Sequence, residues 1–300
     1  MNAVGLNITW IIFMPILVII IGLFYLGAAR KITARIQNRY GPPIYQNIID
    51  VIKLFSKKNP TNHGVMFSLG PVMAFSGMLI SLLFIPIGNK ALLSFNGDII
   101  VLLYLLVIAP LGMALGVGEG GNPMGTIGIA RALTLMLGYE VVLVISIISV
   151  ILYTGSASFM EIIKMQSGGV GHWFIWPLFL SALAMDMALQ GMLGEKPFDQ
   201  PVAPHEVASG PMVEFGGKYL GLLQLYHAIG IVVETGIFVN LFLGGGTLFW
   251  WFVKSFAVFF VALLINAVMP RFRIGQAFAF FWTYPAAIGL IGLILVAILK

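Results

Sequence analysis

The sequence predicts an all-α integral membrane protein: a bundle of about eight transmembrane helices with a cytoplasmic amphipathic surface helix. Three observations carry this. Hydrophobic residues fill 60% of the 300 positions and charged residues only 9%, against about 25% charged in soluble domains, so a water-facing surface could not be covered. The mean hydropathy of +1.02 comes from long continuous apolar runs, not from the period-2 alternation of a membrane barrel. In lipid every backbone polar group must be satisfied internally, so such runs are helices.

A span needs about 20 apolar residues. The runs at 8–28, 66–88, 98–117, 126–153, 173–193, 218–243, 248–269 and 277–299 fit that length. The first is not preceded by a basic stretch and is expected to be a retained helix, not a cleaved signal. Residues 1–300 are read as one membrane domain. The connections 29–65, 118–125, 194–217 and 270–276 hold Arg30, Lys31, Arg35, Arg39, Lys53, Lys57, Lys58, Lys196, Arg271 and Arg273, whereas the opposite connections hold Lys90 and Lys164. The positive-inside rule places the first set in the cytoplasm and both termini outside. The net charge of +5 is explained by this loop asymmetry, and no nucleic-acid partner is inferred.

Within the first connection, 44–58 places Ile44, Ile48, Val51, Ile52 and Phe55 on one face and Gln46, Asn47, Asp50, Lys53 and Lys57 on the other. This is an amphipathic helix for a membrane surface or a partner. Pro42-Pro43 starts it and Asn59-Pro60 ends it.

Several motifs fail on context. "GVGEGG" at 116–121 fits the dinucleotide spacing, but a membrane helix precedes it and there is no βαβ unit; it is read as a glycine-rich turn between helices. His63, His172, His205 and His227 are far apart, with no zinc-binding spacing, and no nucleophile signature occurs. The chain has no cysteine, which excludes a cysteine-ligated iron–sulfur cluster within it.

The informative residues are ionisable groups inside apolar runs. Glu140, Asp186 and Glu234 lie within the fourth, fifth and sixth, and His227 precedes Glu234 by two turns. A charge at a helix centre costs roughly 2.5–3.5 kcal/mol, so three cost on the order of 8–10 kcal/mol. Such groups persist as neutral acids bonded between helices, in polar interiors, or along a charge pathway. Arg131 is placed to balance one of the acids, and Lys254 near the outer end of the seventh run reads as a snorkelling lysine. The stretch "GEKPFDQPVAPHEVASGPMVEF" (194–215) adds Glu195, Asp199, Glu206 and Glu214, with four prolines that prevent one continuous helix. It is expected to fold back against the bundle, with Asp199 holding its shape and Glu206 and Glu214 facing the mouth of a pathway.

Several segments together resemble one family, the NuoH-like membrane subunit shared by respiratory complex I and energy-converting membrane-bound nickel–iron hydrogenases. "ARKITARIQNRYGPPIYQNIIDVIKLFSKK" (29–58) resembles its first cytoplasmic segment. "GIARALTLMLGYE" (128–140) resembles its arginine–alanine…tyrosine–glutamate helix through Arg131, Ala132, Tyr139 and Glu140. "PFDQPVAPHEVASGPMVEFGGKY" (197–219) resembles its signature loop, and "FLGG" (242–245) and "MPRFRIGQ" (269–276) match two more segments. The chain departs from the complex I pattern at Ala29, Leu135, Val202, Pro204 and His227, which points to the hydrogenase-like branch with its sulfur-reducing relatives.

The resemblance implies a subunit without a catalytic centre, cofactor or metal of its own, in the plasma (inner) membrane of a prokaryote. Its implied partners are a hydrogenase-like large subunit, an iron–sulfur small subunit and antiporter-like membrane subunits, with any iron–sulfur clusters and nickel–iron centre carried by those partners. It implies an ion pathway for H+ or Na+ through Arg131, Glu140, Asp186, Glu206, Glu214, His227 and Glu234. It also implies docking of the peripheral arm by Arg30, Lys31, Arg35, Arg39, Asp50, Lys53, Glu195 and Asp199. Two alternatives stand beside it: the quinone-site subunit of a complex I-type dehydrogenase, and a stand-alone secondary transporter. The transporter predicts inverted repeats, and the chain halves show no convincing similarity.

Overall fold

The computed structural model describes residues 8–59 and 63–299. Its helices are α1 (Ile8–Ile36), α2 (Gln46–Ser56), α3 (Val65–Phe84), α4 (Asp98–Gly120), α5 (Pro123–Thr154), α6 (Phe159–Met165), α7 (Phe179–Met192), α8 (Pro204–Val207), α9 (Gly217–Phe242), α10 (Leu248–Val268) and α11 (Ile274–Leu299). Short 3-10 turns occupy Val170–His172 and Gly210–Met212, and no strand forms among the described residues. Seven helices, α1, α3, α4, α5, α9, α10 and α11, are long and apolar enough to cross a membrane. The α1–α3, α4–α5 and α10–α11 connections lie at an arginine-rich end, and the α3–α4 and α9–α10 connections lie at the opposite end. The α5–α9 connection runs from the opposite end back to the arginine-rich one through α7.

Local chemistry sets the helix limits. Asn122 caps α5 by accepting from the Met124 N–H at 2.9 Å, Pro123 occupies the first turn, and Gly155 closes the helix in a left-handed conformation at φ 74°. Pro15, Pro71, Pro110 and Pro285 lie inside spanning helices, where neighbouring helices make proline tolerable.

α9 is the axial helix. Its residues are buried from Ala228 to Phe242 except at Glu234, and it packs against α1, α2, α3, α7 and α10. Thr235 and Ser255 join it to α10 through hydroxyls 2.7 Å apart. Asn240 donates to the Pro86 carbonyl at 2.9 Å and accepts from the Trp251 indole at 2.8 Å. α3 and α4 approach at backbone distance: a Cβ on Gly70 would lie 2.7 Å from the Gly116 Cα and 2.8 Å from the Gly112 carbonyl. Small residues permit this close crossing in membranes. On the outside, Ile12, Phe13, Ile16, Ile20 and Phe24 of α1 form an exposed apolar stripe.

The structure differs from the sequence expectation in four places. The fifth run, expected at 173–193, forms a helix only at Phe179–Met192. Its 14 residues reach about 21 Å, short of a hydrocarbon core of about 30 Å. The preceding backbone is captured instead: Phe174 N–H donates to Gln166 Oε1 and Ile175 N–H to the Phe242 carbonyl, both at 3.1 Å. α1 continues through Arg30, Lys31 and Arg35, which are helical and not in a loop. "GVGEGG" is mostly the end of α4, because Gly116 is needed against Gly70; only Gly121 turns, at φ 70°.

The fourth difference is the packing face of α2. Asn47, placed on the polar face by the sequence, is buried against the bundle, whereas Ile52 of the apolar face is 66% exposed. Arg30 Nη1 donates to Asn47 Oδ1 at 2.7 Å, and the Phe55 ring lies against Gly221 of α9. These contacts rotate the helix so that Val51 points inward. Pro60, part of the expected stop, lies outside the described residues.

Candidate functional site

The ionisable residues singled out in the sequence fall into separate places. Glu140 of α5 and Glu234 of α9 line one cavity of 430 Å³, together with Tyr139 and Tyr226. The remaining wall is apolar apart from Tyr104 and comes from α3, α4 and α5, with Met192 closing it from α7. Two carboxyls and three phenols thus share a space otherwise lined by Met, Ile, Leu, Val and Pro. In such surroundings a charge is costly unless it is paired or can leave, so the arrangement suits groups that exchange a proton or cation.

Asp186 does not join this cavity. It lines a second one of 310 Å³ between α7, α9 and α10, beside Phe179, Phe238 and Val261. His227, half-buried on α9, lines neither cavity. Gln190, one turn beyond Asp186, donates to the Lys196 carbonyl at 2.7 Å and to the Ala262 carbonyl at 3.2 Å, fixing the end of α7 to α10.

The proline-rich stretch folds back over the arginine-rich end and is held by a four-residue ionic network. Arg271 grips Asp199 with two bonds, Nε to Oδ1 at 2.7 Å and Nη2 to Oδ2 at 2.6 Å. Its Nη1 reaches Glu206 Oε1 at 3.4 Å. Arg131 donates to Glu206 Oε2 at 2.7 Å. Glu206 is therefore shared by an arginine from α5 and one from the α10–α11 connection. Hydrogen bonds from both arginines hold its carboxyl below the usual glutamate range, Arg131 contributing most. Gln200 adds a neutral tie, donating to the Pro197 and Phe272 carbonyls at 2.9 and 3.0 Å. Gly210 is required here: at φ +53° a Cβ would lie 1.9 Å from the Pro201 carbonyl oxygen.

Glu195 lies half-buried beside this network. Burial, reinforced by the Asp199 charge and opposed by Lys196, pushes its carboxyl up to about 7. Glu214 sits against Gly120 and 3.8 Å from His63 Nε2. Glu119 accepts from the Phe67 N–H and so closes the first turn of α3.

Among the docking candidates, Arg30 and Asp50 spend their charge inside the chain. Arg30 bonds Asn47 at 2.7 Å and lies 3.5 Å from Asp50, which also accepts from Gln46 at 3.0 Å. Lys31 is half-buried, whereas Arg35, Arg39 and Lys53 are exposed at the same end, and Arg35 stacks 4.9 Å from the Tyr40 ring. Lys254 turns its ammonium to the α9–α10 loop, donating to the Leu243 and Gly245 carbonyls at 2.7 and 2.8 Å.

Arg271, Gln200 and Glu119 were not singled out by the sequence reading. Arg271 was readable in principle, since a short connection carrying "PRFR" faces an acidic proline-rich one on the same side. Nothing local marks Gln200 or Glu119, whose partners are distant in sequence.

A family model described as NADH dehydrogenase matches residues 8–297. Among solved structures, a chain in the membrane-bound sulfane sulfur reductase, an archaeal respiratory membrane complex, is similar over 98% of this chain and 100% of that one. The two share 41% identity with a TM-score of 0.92.

Proposed function

Because the chain belongs to the NADH dehydrogenase family, we propose that it is the non-redox membrane subunit of an ion-translocating respiratory oxidoreductase. It anchors a peripheral arm with a hydrogenase-like large subunit and an iron–sulfur small subunit, and it couples ferredoxin-driven electron transfer to movement of H+ or Na+. The full-length likeness to a chain of a respiratory membrane complex supports the subunit role. The observation that carries the coupling role is the shared cavity of Glu140 and Glu234 within the bundle.

In this reading the cavity is the ion-handling centre, and Arg35, Arg39 and Lys53 face the arm. Glu206 and Asp199 are structural members of the latch that holds the loop under the arm. Asp186 and Glu214 are side stations, not steps on one line. The arginine-rich end faces the cytoplasm of a prokaryotic cell, in accord with the positive-inside rule.

Glu140→Gln and Glu234→Gln in membrane vesicles test the coupling. The expected result is an assembled complex whose ion pumping falls about tenfold or more, a barrier of at least about 1.4 kcal/mol. Assembly with electron transfer and pumping both at full rate overturns it. Orientation is tested separately. The chain has no cysteine, so one introduced at Lys57 or at Gly246 reports sidedness through a membrane-impermeant maleimide. Labelling of the Lys57 position from the outside of intact cells overturns the orientation.

A further inference from the structure

The end of the bundle opposite the arginine-rich one holds a cavity of 520 Å³ between the α6–α7 connection and the α9–α10 loop. Its walls carry one buried polar group, Gln166, and an exposed one, Asn89. Gln166, 2% exposed, donates to the Asn240 and Leu241 carbonyls at 3.0 and 3.2 Å while accepting from Phe174. Asn89 accepts from the Gly246 N–H at 3.2 Å. The glycine run Gly244–Gly246 has positive φ throughout, and Gly244 lies flat against the Trp173 ring.

One charged side chain lines this cavity, Lys254, and no carboxylate does. Among the described residues Lys254 has no acidic partner within 4.0 Å. An ammonium has three donors. Two are used on Leu243 and Gly245, and the Trp173 ring lies 4.2 Å from the nitrogen. The third donor and the net charge remain for the cavity. The start of α10 adds to this field: Thr247 provides no side-chain cap, so first-turn N–H groups and the positive end of the helix dipole border the same space.

The rim shows what kind of anion fits. Trp250 and Phe249 are 59% and 72% exposed, as aromatic residues are at a lipid–water boundary. Ala257 of α10 lines both this cavity and the second one, whose wall is apolar except for Asp186. A polar, cationic chamber thus adjoins, across Ala257, a largely apolar crevice.

We propose that this paired chamber is a phospholipid site, with the phosphodiester on Lys254 and the start of α10 and an acyl chain lying past Ala257 in the adjoining crevice. An inorganic anion would satisfy the chamber alone and leaves the adjoining crevice without purpose; a neutral glycolipid would satisfy the crevice and leave Lys254 without a counter-charge.

The test uses the purified complex, stripped of lipid in detergent and re-exposed to phosphatidylglycerol, to digalactosyl diacylglycerol or to inorganic phosphate, with retained ligand measured by native mass spectrometry. Lys254→Gln keeps a donor for the loop carbonyls but removes the charge, and Lys254→Arg keeps both. Ala257→Phe leaves Lys254 in place and blocks the exposed passage. The expected result is one phosphatidylglycerol retained by the wild type and by Lys254→Arg, with retention about tenfold weaker in Lys254→Gln and in Ala257→Phe. Equal retention in all variants overturns the site. So does equal retention of the galactolipid, or binding of inorganic phosphate without binding of the phospholipid. If Lys254→Gln fails to assemble, Ala257→Phe alone decides.

Discussion

Replacing Arg271 by Met removes the residue that holds the proline-rich loop at two points. Asp199 then keeps its place in a largely enclosed site without its two-bond partner, and Glu206 retains Arg131 at 2.7 Å. Removing one member of a buried pair costs about 3–5 kcal/mol, because the other charge stays behind uncompensated. The Arg271 and Asp199 side chains are still 19% and 16% exposed, and solvent screening brings the expected loss to about 2–3 kcal/mol. The double variant Arg271→Met/Asp199→Asn leaves no stranded charge and should return to within about 1 kcal/mol of the wild type. The assay is reversible unfolding of the purified protein in mixed micelles, followed by tryptophan fluorescence, with proteolysis of the 194–216 loop as a local readout. If the single variant lies within about 0.5 kcal/mol of the wild type, or if the double variant is no better than the single, the clamp does not hold the loop and the reasoning fails.

Further expectations follow from the same geometry. Glu195, raised to about 7 from an ordinary 4.5, binds its proton more tightly folded than unfolded. Its contribution to stability is therefore fully present at low pH and is lost as pH rises from about 4.5 to 7, by about 3 kcal/mol. A pH series of unfolding should show this slope, and Glu195→Gln should flatten it; an unchanged slope refutes the assignment. Asn240→Leu strands the Trp251 indole and the Pro86 carbonyl, at a cost of about 2–4 kcal/mol, readable as a lower unfolding midpoint. Gly70→Val pushes a side chain into the α4 backbone and should cost about 1–3 kcal/mol or prevent assembly, measured by yield of the intact complex; full yield with unchanged stability counts against the contact.

Much of this architecture is legible in the sequence because hydropathy acts over whole helices. Asn122-Pro123 and Gly155 mark the limits of α5 without any knowledge of the fold. Hydropathy fails where backbone partners are tertiary: Trp173–Leu178 is as apolar as a span, yet Gln166 and Phe242 claim its donors. The face of α2 that packs on the bundle is hidden from the sequence for a related reason. An apolar stripe is a statement about average transfer energy, and it does not reveal the link from Arg30 that draws Asn47 of the polar face inward. At the site, composition finds the costly residues but not their grouping. Glu140 and Glu234 are nearly a hundred positions apart and share a cavity, whereas Asp186 faces a different one. Sequence spacing along separate helices carries no information about which faces meet.

The contact between α3 and α4 has a mechanical consequence. With Gly70 against Gly112 and Gly116 and a backbone carbonyl beside it, little side-chain layer is left to shear at that crossing, and the two helices are joined there like one rod. One flank of that rod forms a wall of the chamber holding Glu140 and Glu234. The chamber cannot be squeezed or opened by sliding α4 alone. Any change in its width has to come from α5 and α9, or from a swing of the whole rod. Strain applied at the arginine-rich end, where α8 and Arg131 meet, enters the chamber through the α5 wall while the rod serves as the fixed jaw.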